Sequence, residues 1–95
     1  MMPFALRLLD AWTRLGWKAK IREDERNEEP HVSIIFKLWT WRLSLRTGEF
    51  LDSTPPPRNV PVELVEWIWS QRELLRARWD EKYPENVVFS KEDGR

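Results

Sequence analysis

The chain has no cysteine, a single histidine and no long hydrophobic run. Without cysteine it has neither disulfides nor thiolate zinc sites, so its apolar core must stabilise the fold unaided. One histidine among scattered carboxylates lacks the clustered ligands that zinc prefers, and we expect no metal and no cofactor. No segment approaches the roughly 18 apolar residues of a membrane span, and no signal-peptide pattern precedes the first helix. The sequence therefore predicts a cytoplasmic protein without a membrane partner.

An excess of one charge is also missing, because sixteen basic and sixteen acidic side chains cancel. This balance removes the simplest argument for nucleic-acid binding, a strongly basic domain. Tryptophan, in contrast, is abundant, with seven in 95 residues. Since each buried tryptophan contributes about 150–250 Å² of apolar area, these side chains are expected to dominate the core of a single domain, residues 1–95. A tryptophan outside that core would indicate a binding surface.

Apolar spacing predicts the order of helices and strands. Phe4, Leu8, Trp12 and Leu15 lie three or four residues apart and Gly16 follows them, which is typical of a helix with a glycine stop. Alternating apolar and polar residues then predict three strands: Trp17–Ile21, Val32–Phe36 and Trp39–Arg46. The apolar positions are even-numbered in the second strand and odd-numbered in the third. This slip favours a tight turn at Lys37-Leu38 over a bulge.

The second half of the chain predicts one long helix. Consecutive prolines at 55–57 exclude helix there, and apolar residues recur near a 3.6-residue period from about Val60 to Lys82, ahead of Pro84. Residues 83–95 are expected to form a partly disordered tail, in which Val87 to Phe89 adds a late strand or lies along a partner. The predicted fold class is α+β, with an N-terminal helix, a three-stranded antiparallel sheet and a long C-terminal helix packed on one sheet face.

Short motifs between about Gly16 and Lys82 resemble a family of small bacterial proteins catalogued as domain of unknown function 4160. The resemblance rests on these segments: Glu29–Val32, Thr47–Glu49, Leu64–Trp67, Glu73–Leu75 and Trp79. It implies a component of a toxin–antitoxin-like gene pair, with no catalytic residues to carry across. The chain departs from the family in two places. It has only His31 where the family has two histidines, with Ser33 at the second, and a helix is predicted where members begin with a strand.

The first functional hypothesis is a non-enzymatic protein that binds a protein partner or a second copy through its Trp-rich helix or a sheet edge. Tryptophan and arginine are common at interface hot spots. Trp67 and Trp69 lie about 200° apart on a helix, so both cannot face one sheet. The candidate protein-binding residues are Trp67, Trp69, Arg72 and Arg76.

The alternative hypothesis is a nucleic-acid-binding or RNA-cleaving protein that uses the outer face of the sheet. Six cations are predicted to share that face: Lys18, Lys20, Arg22, Lys37, Arg42 and Arg46. Such a face would bind phosphates, with His31 or Arg42 the candidates for chemistry. The more common structure for such patterns is a solvated sheet face, with the histidine hydrogen-bonded to a loop at the strand edge.

Overall fold

The computed structural model describes residues 4–89 and shows an α+β fold built on a four-stranded antiparallel sheet. The elements in chain order are β1 (Phe4–Ala5), α1 (Asp10–Leu15), β2 (Trp17–Ile21), β3 (His31–Phe36), β4 (Trp39–Ser44), α2 (Val62–Ser70) and α3 (Arg72–Lys82). A short 3₁₀ turn, Pro57–Asn59, precedes α2. The strands follow one another in the sheet as β1-β2-β3-β4. The α+β class is thus confirmed, with four strands where the sequence predicts three.

The predicted helix from Phe4 to Leu15 is wrong in its first half. Phe4 pairs with Ile21 in β2, and only Asp10–Leu15 is helical. Phe4 and Leu8 fit a helical period, but with Leu6 between them they also fit a period of two, and hydrogen bonding to β2 selects the strand. Gly16 ends α1 with φ of 102°, a conformation in which glycine is favoured.

The hairpin between β3 and β4 confirms the predicted tight turn. Phe36 pairs directly with Trp39, which leaves only Lys37 and Leu38 in the turn. Lys37 adopts a φ of 55°, so the turn forms without the glycine that usually supplies this conformation. The predicted third strand continues to Arg46, whereas β4 ends at Ser44. Beyond the turn at 45–48, Phe50 forms an isolated antiparallel bridge with Leu43.

The long C-terminal helix is two helices, α2 and α3, that meet at Gln71. Gln71 has φ of −98° and ψ of 15°, and its N–H donates to Ile68 rather than four residues back. The Ser70 hydroxyl donates to the Trp67 carbonyl, a side-chain bond of the kind that competes with helical hydrogen bonds. The helix end predicted ahead of Pro84 is confirmed, since α3 stops at Lys82. None of the helices within residues 4–89 is long and apolar enough to cross a bilayer.

Residues 83–89 pack against the fold. Tyr83 and Val88 are buried, and the Trp79 indole N–H donates to the Asn86 carbonyl at 2.7 Å. The Val88 N–H donates to the Asp80 carboxylate at 2.8 Å, so the segment returns along α3 without forming a strand. The predicted disorder of Ser90 to Arg95 lies outside the described residues.

The buried side chains of the sheet and of both C-terminal helices form one apolar cluster. Its fully buried members include Ile21, Val32, Ile34, Leu43, Leu45, Leu64, Ile68, Leu75 and Trp79. In β2, β3 and β4 they occupy alternate positions, so one sheet face is apolar, as the sequence pattern predicts. The packing of the long C-terminal helix on one face of the sheet remains a prediction.

Candidate functional site

A groove of about 550 Å³ runs between the N-terminal edge of the sheet and the Trp-bearing helices. We call it the edge groove. Most of its lining side chains are apolar, and the charged ones are Arg7 and Asp10; the lining residues are Phe4, Ala5, Leu6, Arg7, Leu8, Leu9, Asp10, Trp67, Gln71 and Leu74. One wall is the extended segment that begins with β1, and the other combines the end of α2, the break at Gln71 and the start of α3. Leu9 and Leu74 are 50% and 40% exposed, so the groove presents apolar surface to solvent.

The backbone edge of β1 is open beside this groove. β1 is the first strand of the sheet, and within residues 4–89 no strand pairs with its outer side. The Leu6 N–H donates to the Ala19 carbonyl at 2.8 Å, which continues the β1–β2 ladder beyond Ala5. Since antiparallel bonding alternates along a strand, the N–H and C=O groups of Ala5 and Arg7 point away from β2. They are available to another chain.

Trp67 carries the one buried side-chain donor without an acceptor among the described residues. Its indole lines the edge groove, and its Nε1 atom makes no hydrogen bond. A buried polar group left unpaired costs roughly 1–3 kcal/mol. Such groups are rare in folded proteins.

A second concavity of about 460 Å³ lies on the other side of the same N-terminal segment. We call it the basic hollow, because Arg7, Lys18 and Lys20 line it with a single acidic residue, Asp10. Ala5, directly opposite Lys20 in the β1–β2 ladder, lines both cavities. None of the ion pairs within residues 4–89 includes Arg7, Lys18 or Lys20. The open strand edge is therefore flanked by an apolar groove and a basic hollow.

Trp69, Arg72 and Arg76, which the sequence grouped with Trp67, lie on a different side of the helices. The Trp69 ring packs on Gly48, where an added Cβ would come within 3.0 Å of it. The guanidinium carbons of Arg72 and Arg76 each lie 5.4 Å from the same ring, and Arg76 donates to the Leu45 carbonyl at 2.8 Å. These side chains hold the turn after β4 against α2 and α3. Trp67 thus faces the edge groove, whereas Trp69 faces the turn after β4.

The six cations predicted for the outer sheet face do not form one free patch. Arg42 pairs with Asp52 at 2.7 Å and with Glu28 at 3.1 Å. The Arg42 hydrogen bond and charge hold the pKa of Asp52 below its usual value. Arg46 follows the end of β4 and donates to the carbonyl oxygens of Val87 and Val88. Both arginines therefore have structural partners.

The remaining four cations are divided between the sheet and its end. Lys18 and Lys20 belong to the basic hollow. Arg22 follows β2 and reaches the Thr40 hydroxyl at 3.4 Å. Lys37 lies in the β3–β4 turn, with its ammonium 5.2 Å from the Phe36 ring centroid. Only the two β2 lysines thus line a common concavity.

His31 is fully buried at the start of β3, with both ring nitrogens engaged. Nε2 lies 3.0 Å from a Glu25 carboxylate oxygen, and Nδ1 lies 2.7 Å from the Glu29 carbonyl oxygen. Both partners are acceptors, so the doubly protonated imidazolium satisfies both. Burial acts to lower the pKa of His31, but the hydrogen bonds to Glu25 and Glu29 and the charges of Glu25 and Glu28 outweigh it and raise the pKa above 6.5.

Glu25 ties this histidine to the C-terminal segment. Its carboxylate accepts the Arg22 N–H at 3.0 Å, and its own N–H donates to the Tyr83 hydroxyl at 2.9 Å. That hydroxyl in turn donates to the Arg22 carbonyl. We call His31, Glu25, Glu28 and Tyr83 the histidine cluster. Burial raises the pKa of Tyr83, so its hydroxyl stays protonated at neutral pH and keeps this bond.

The ligand atoms of Glu25, Glu28 and His31 lie within 4.8 Å of one another, a spacing that could hold a metal ion. These atoms are already engaged, because Glu25 accepts from His31 and Glu28 from Arg42. The arrangement is thus complete as an internal network. The two candidates for chemistry, His31 and Arg42, both lie near Glu28 in this network. The His31 imidazole has no free nitrogen and no exposed surface.

Comparison with protein-family models, with curated proteins and with solved structures finds no match to this chain. The resemblance to domain of unknown function 4160 stays a prediction. Of the predicted binding residues, only Trp67 lines the edge groove. The sequence reasoning missed Leu6, Arg7 and Leu74, although the alternation Phe4-Ala5-Leu6-Arg7-Leu8 was a signal for a strand with one apolar and one polar side.

Proposed function

We propose that this chain is a non-enzymatic interaction protein that binds a protein partner in the edge groove. The hypothesis from the sequence offered the Trp-rich helix or a sheet edge as the binding surface. The groove combines them, since Trp67 and Leu74 form one wall and the open edge of β1 the other. A partner segment would contact both at once.

The observation that carries the proposal is the unpaired edge of β1 beside the exposed apolar side chains of the edge groove. Trp67 lines the same groove, and its indole N–H is the one buried side-chain donor without an acceptor among the described residues. Free backbone groups and exposed apolar side chains in one place are features that binding of another protein would cover.

The resemblance to domain of unknown function 4160 extends this proposal to a biological setting. We infer a cytoplasmic component of a toxin–antitoxin-like or defence-related pair, with the companion protein as the partner.

The RNA-cleaving alternative has weaker support. His31 is buried with both nitrogens engaged, and Arg42 is held by two carboxylates, so neither group is placed to touch a substrate. A general acid or base must come within hydrogen-bonding distance of the reacting atoms. We therefore assign these residues a structural role.

The proposal is tested by comparing two exposed apolar positions on the helices. Leu74→Glu places a charge in the edge groove, whereas Val62→Glu makes the same change at a 63% exposed position outside its lining. Tagged wild type and both variants would be purified from the source cells and analysed by light scattering and mass spectrometry. We expect a stoichiometric protein partner with wild type and Val62→Glu, and its loss with Leu74→Glu.

Equal retention of the partner by both variants would place its binding site elsewhere. A salt-sensitive nucleic-acid component in the wild-type preparation, identified by its absorbance at 260 nm, would instead support the alternative. As a control, a cooperative thermal unfolding transition would verify that each purified variant is folded.

A further inference from the structure

We propose that the segment bound at the edge groove is an extended strand with alternating apolar and acidic side chains, which pairs with β1 as a fifth strand of the sheet. This inference rests on the proposed function and names the chemistry of the partner. It follows from three properties of the open edge: its backbone, its apolar side and its basic side.

The backbone of the edge favours a strand over a helix as the occupant. The N–H and C=O groups of Ala5 and Arg7 point away from β2, and an added strand would pair with them. Such pairing supplies main-chain hydrogen bonds, while the side chains of the added strand provide specificity. A helix in the same place would leave these groups unpaired.

One face of the added strand would enter the edge groove. Side chains on that face would lie beside Leu6 and across from Trp67 and Leu74, where the structure offers apolar surface. Because successive side chains of a strand point to opposite faces, every second residue of the partner is expected to be apolar.

The other face would lie over the basic hollow. There the side chains of the added strand would be neighbours of Ala5 and Arg7, with Lys18 and Lys20 one strand further. The basic hollow has three cations, Arg7, Lys18 and Lys20, and one acidic residue, Asp10. None of the three cations forms an ion pair within residues 4–89. Acidic side chains at the alternate positions would neutralise them, since cross-strand and diagonal pairs of opposite charge are stabilising.

The same charges argue against a second copy of this chain as the occupant. Pairing of β1 with its counterpart would form a continuous sheet and place two Arg7 side chains on one face, together with both sets of Lys18 and Lys20. Like charges across adjacent strands are destabilising. The geometry therefore points to a different, acidic chain.

The experiment uses the purified chain and three synthetic ten-residue peptides that differ only at alternate positions. They alternate valine with glutamate, with glutamine or with lysine, and N-methyl groups on one edge prevent them from pairing with themselves. Affinity would be measured by calorimetry and the contact site by amide NMR shifts. We expect the glutamate peptide to bind at least about tenfold more tightly than the lysine peptide. We also expect the Ala5 and Arg7 amides to shift and to become protected from exchange.

A charge-reversed variant, Arg7→Glu with Lys20→Glu, is expected to prefer the lysine peptide. Arg58→Glu, an exposed reversal outside both concavities, is the matched control and should keep the wild-type order. Equal affinity for all three peptides would overturn the acidic specificity. No binding of any peptide, or shifts confined to other strands, would overturn strand addition. The comparison of Leu74→Glu with Val62→Glu judges the proposed function separately, because it depends on the native partner and not on these peptides.

Discussion

The histidine cluster and the edge groove are opposite solutions to the placement of polar groups in a small fold. In the cluster, His31 and Glu25 are buried and each is hydrogen-bonded within the chain. In the groove, the Trp67 indole N–H is buried without an acceptor, and Leu74 is left 40% exposed. The buried polar groups of the histidine cluster have hydrogen-bond partners within the chain, whereas the Trp67 indole N–H in the groove has none among the described residues.

Under the proposed function, the difference separates residues that maintain the fold from residues that bind a partner. A lone histidine beside carboxylates is a usual candidate for chemistry, but here it joins the loop after β2 to β3, and Tyr83 extends the connection to the segment after α3. Trp67, which the sequence pattern does not distinguish from a core residue, carries the unsatisfied indole N–H. Under the proposed function, the groove binds the partner and the titratable cluster maintains the fold.

Disruption of the histidine cluster is expected to have the largest effect. His31→Leu removes the imidazolium and leaves the Glu25 carboxylate buried without its cationic partner. Breaking a buried pair by removal of one partner costs about 3–5 kcal/mol of unfolding free energy. Urea denaturation followed by tryptophan fluorescence measures this loss. The double variant His31→Leu with Glu25→Gln should recover part of it, and a cost below about 1 kcal/mol for the single variant would contradict the pairing.

Two glycines with positive φ provide the second comparison, because only Gly48 lies against a helix side chain, Trp69. Gly48→Ala must place a Cβ 3.0 Å from the Trp69 ring at a φ of 78°, so strain and overpacking together should cost about 2–4 kcal/mol. Gly16→Ala has a φ of 102° but its nearest neighbour is Phe36 at 3.8 Å, and about 1–2 kcal/mol is expected. Similar losses in urea denaturation would show that Trp69 is not packed against the turn.

The third prediction concerns pH and again distinguishes the cluster from the groove. The folded-state pKa of His31 is raised above its unfolded value of about 6.5, so its contribution is fully present below that pH. It is lost as the pH rises through the folded pKa. We therefore expect the unfolding free energy of wild type to fall across this range relative to His31→Gln. As His31 is the only histidine, its ring NMR signals report the pKa directly. A pKa below 6.5 would reverse the sign and contradict the imidazolium assignment.

The strands of the central hairpin were predictable because local pattern and tertiary contacts agree there. Trp17–Ile21 and the turn at Lys37-Leu38 follow from alternation alone. The N-terminal strand was not predictable, because Phe4 and Leu8 fit a helical period and, together with Leu6, also fit a period of two. The choice depends on pairing with β2, a later segment of the chain. The break at Gln71 and the order of residues 83–89 depend on single side-chain bonds, from Ser70 and Asp80, that no periodicity reveals.

The candidate site was less predictable than the fold, for the same reason. The edge groove joins residues from both ends of the chain, and the sequence identified Trp67 but not the segment that faces it. The sequence predicts six cations on one free sheet face. In the structure, Arg42 pairs with Asp52 and Arg46 bonds to the Val88 carbonyl, so neither is free. Which charges remain free is a property of the neighbours they meet in space, and these neighbours lie far apart in sequence.

The smallest effect is expected for Trp67→Phe, and it is the most informative about the groove. The substitution removes the unpaired indole N–H, worth roughly 1–3 kcal/mol, and also removes ring area of comparable value from a half-buried position. The unfolding free energy should therefore change by less than about 1 kcal/mol, whereas Trp69→Phe, which only removes packing on Gly48, should be more destabilising. If the free protein loses 3 kcal/mol or more with Trp67→Phe, the indole is already satisfied and the groove is complete. If stability is kept while the native partner binds more weakly, the Trp67 indole contributes to the complex and not to the fold.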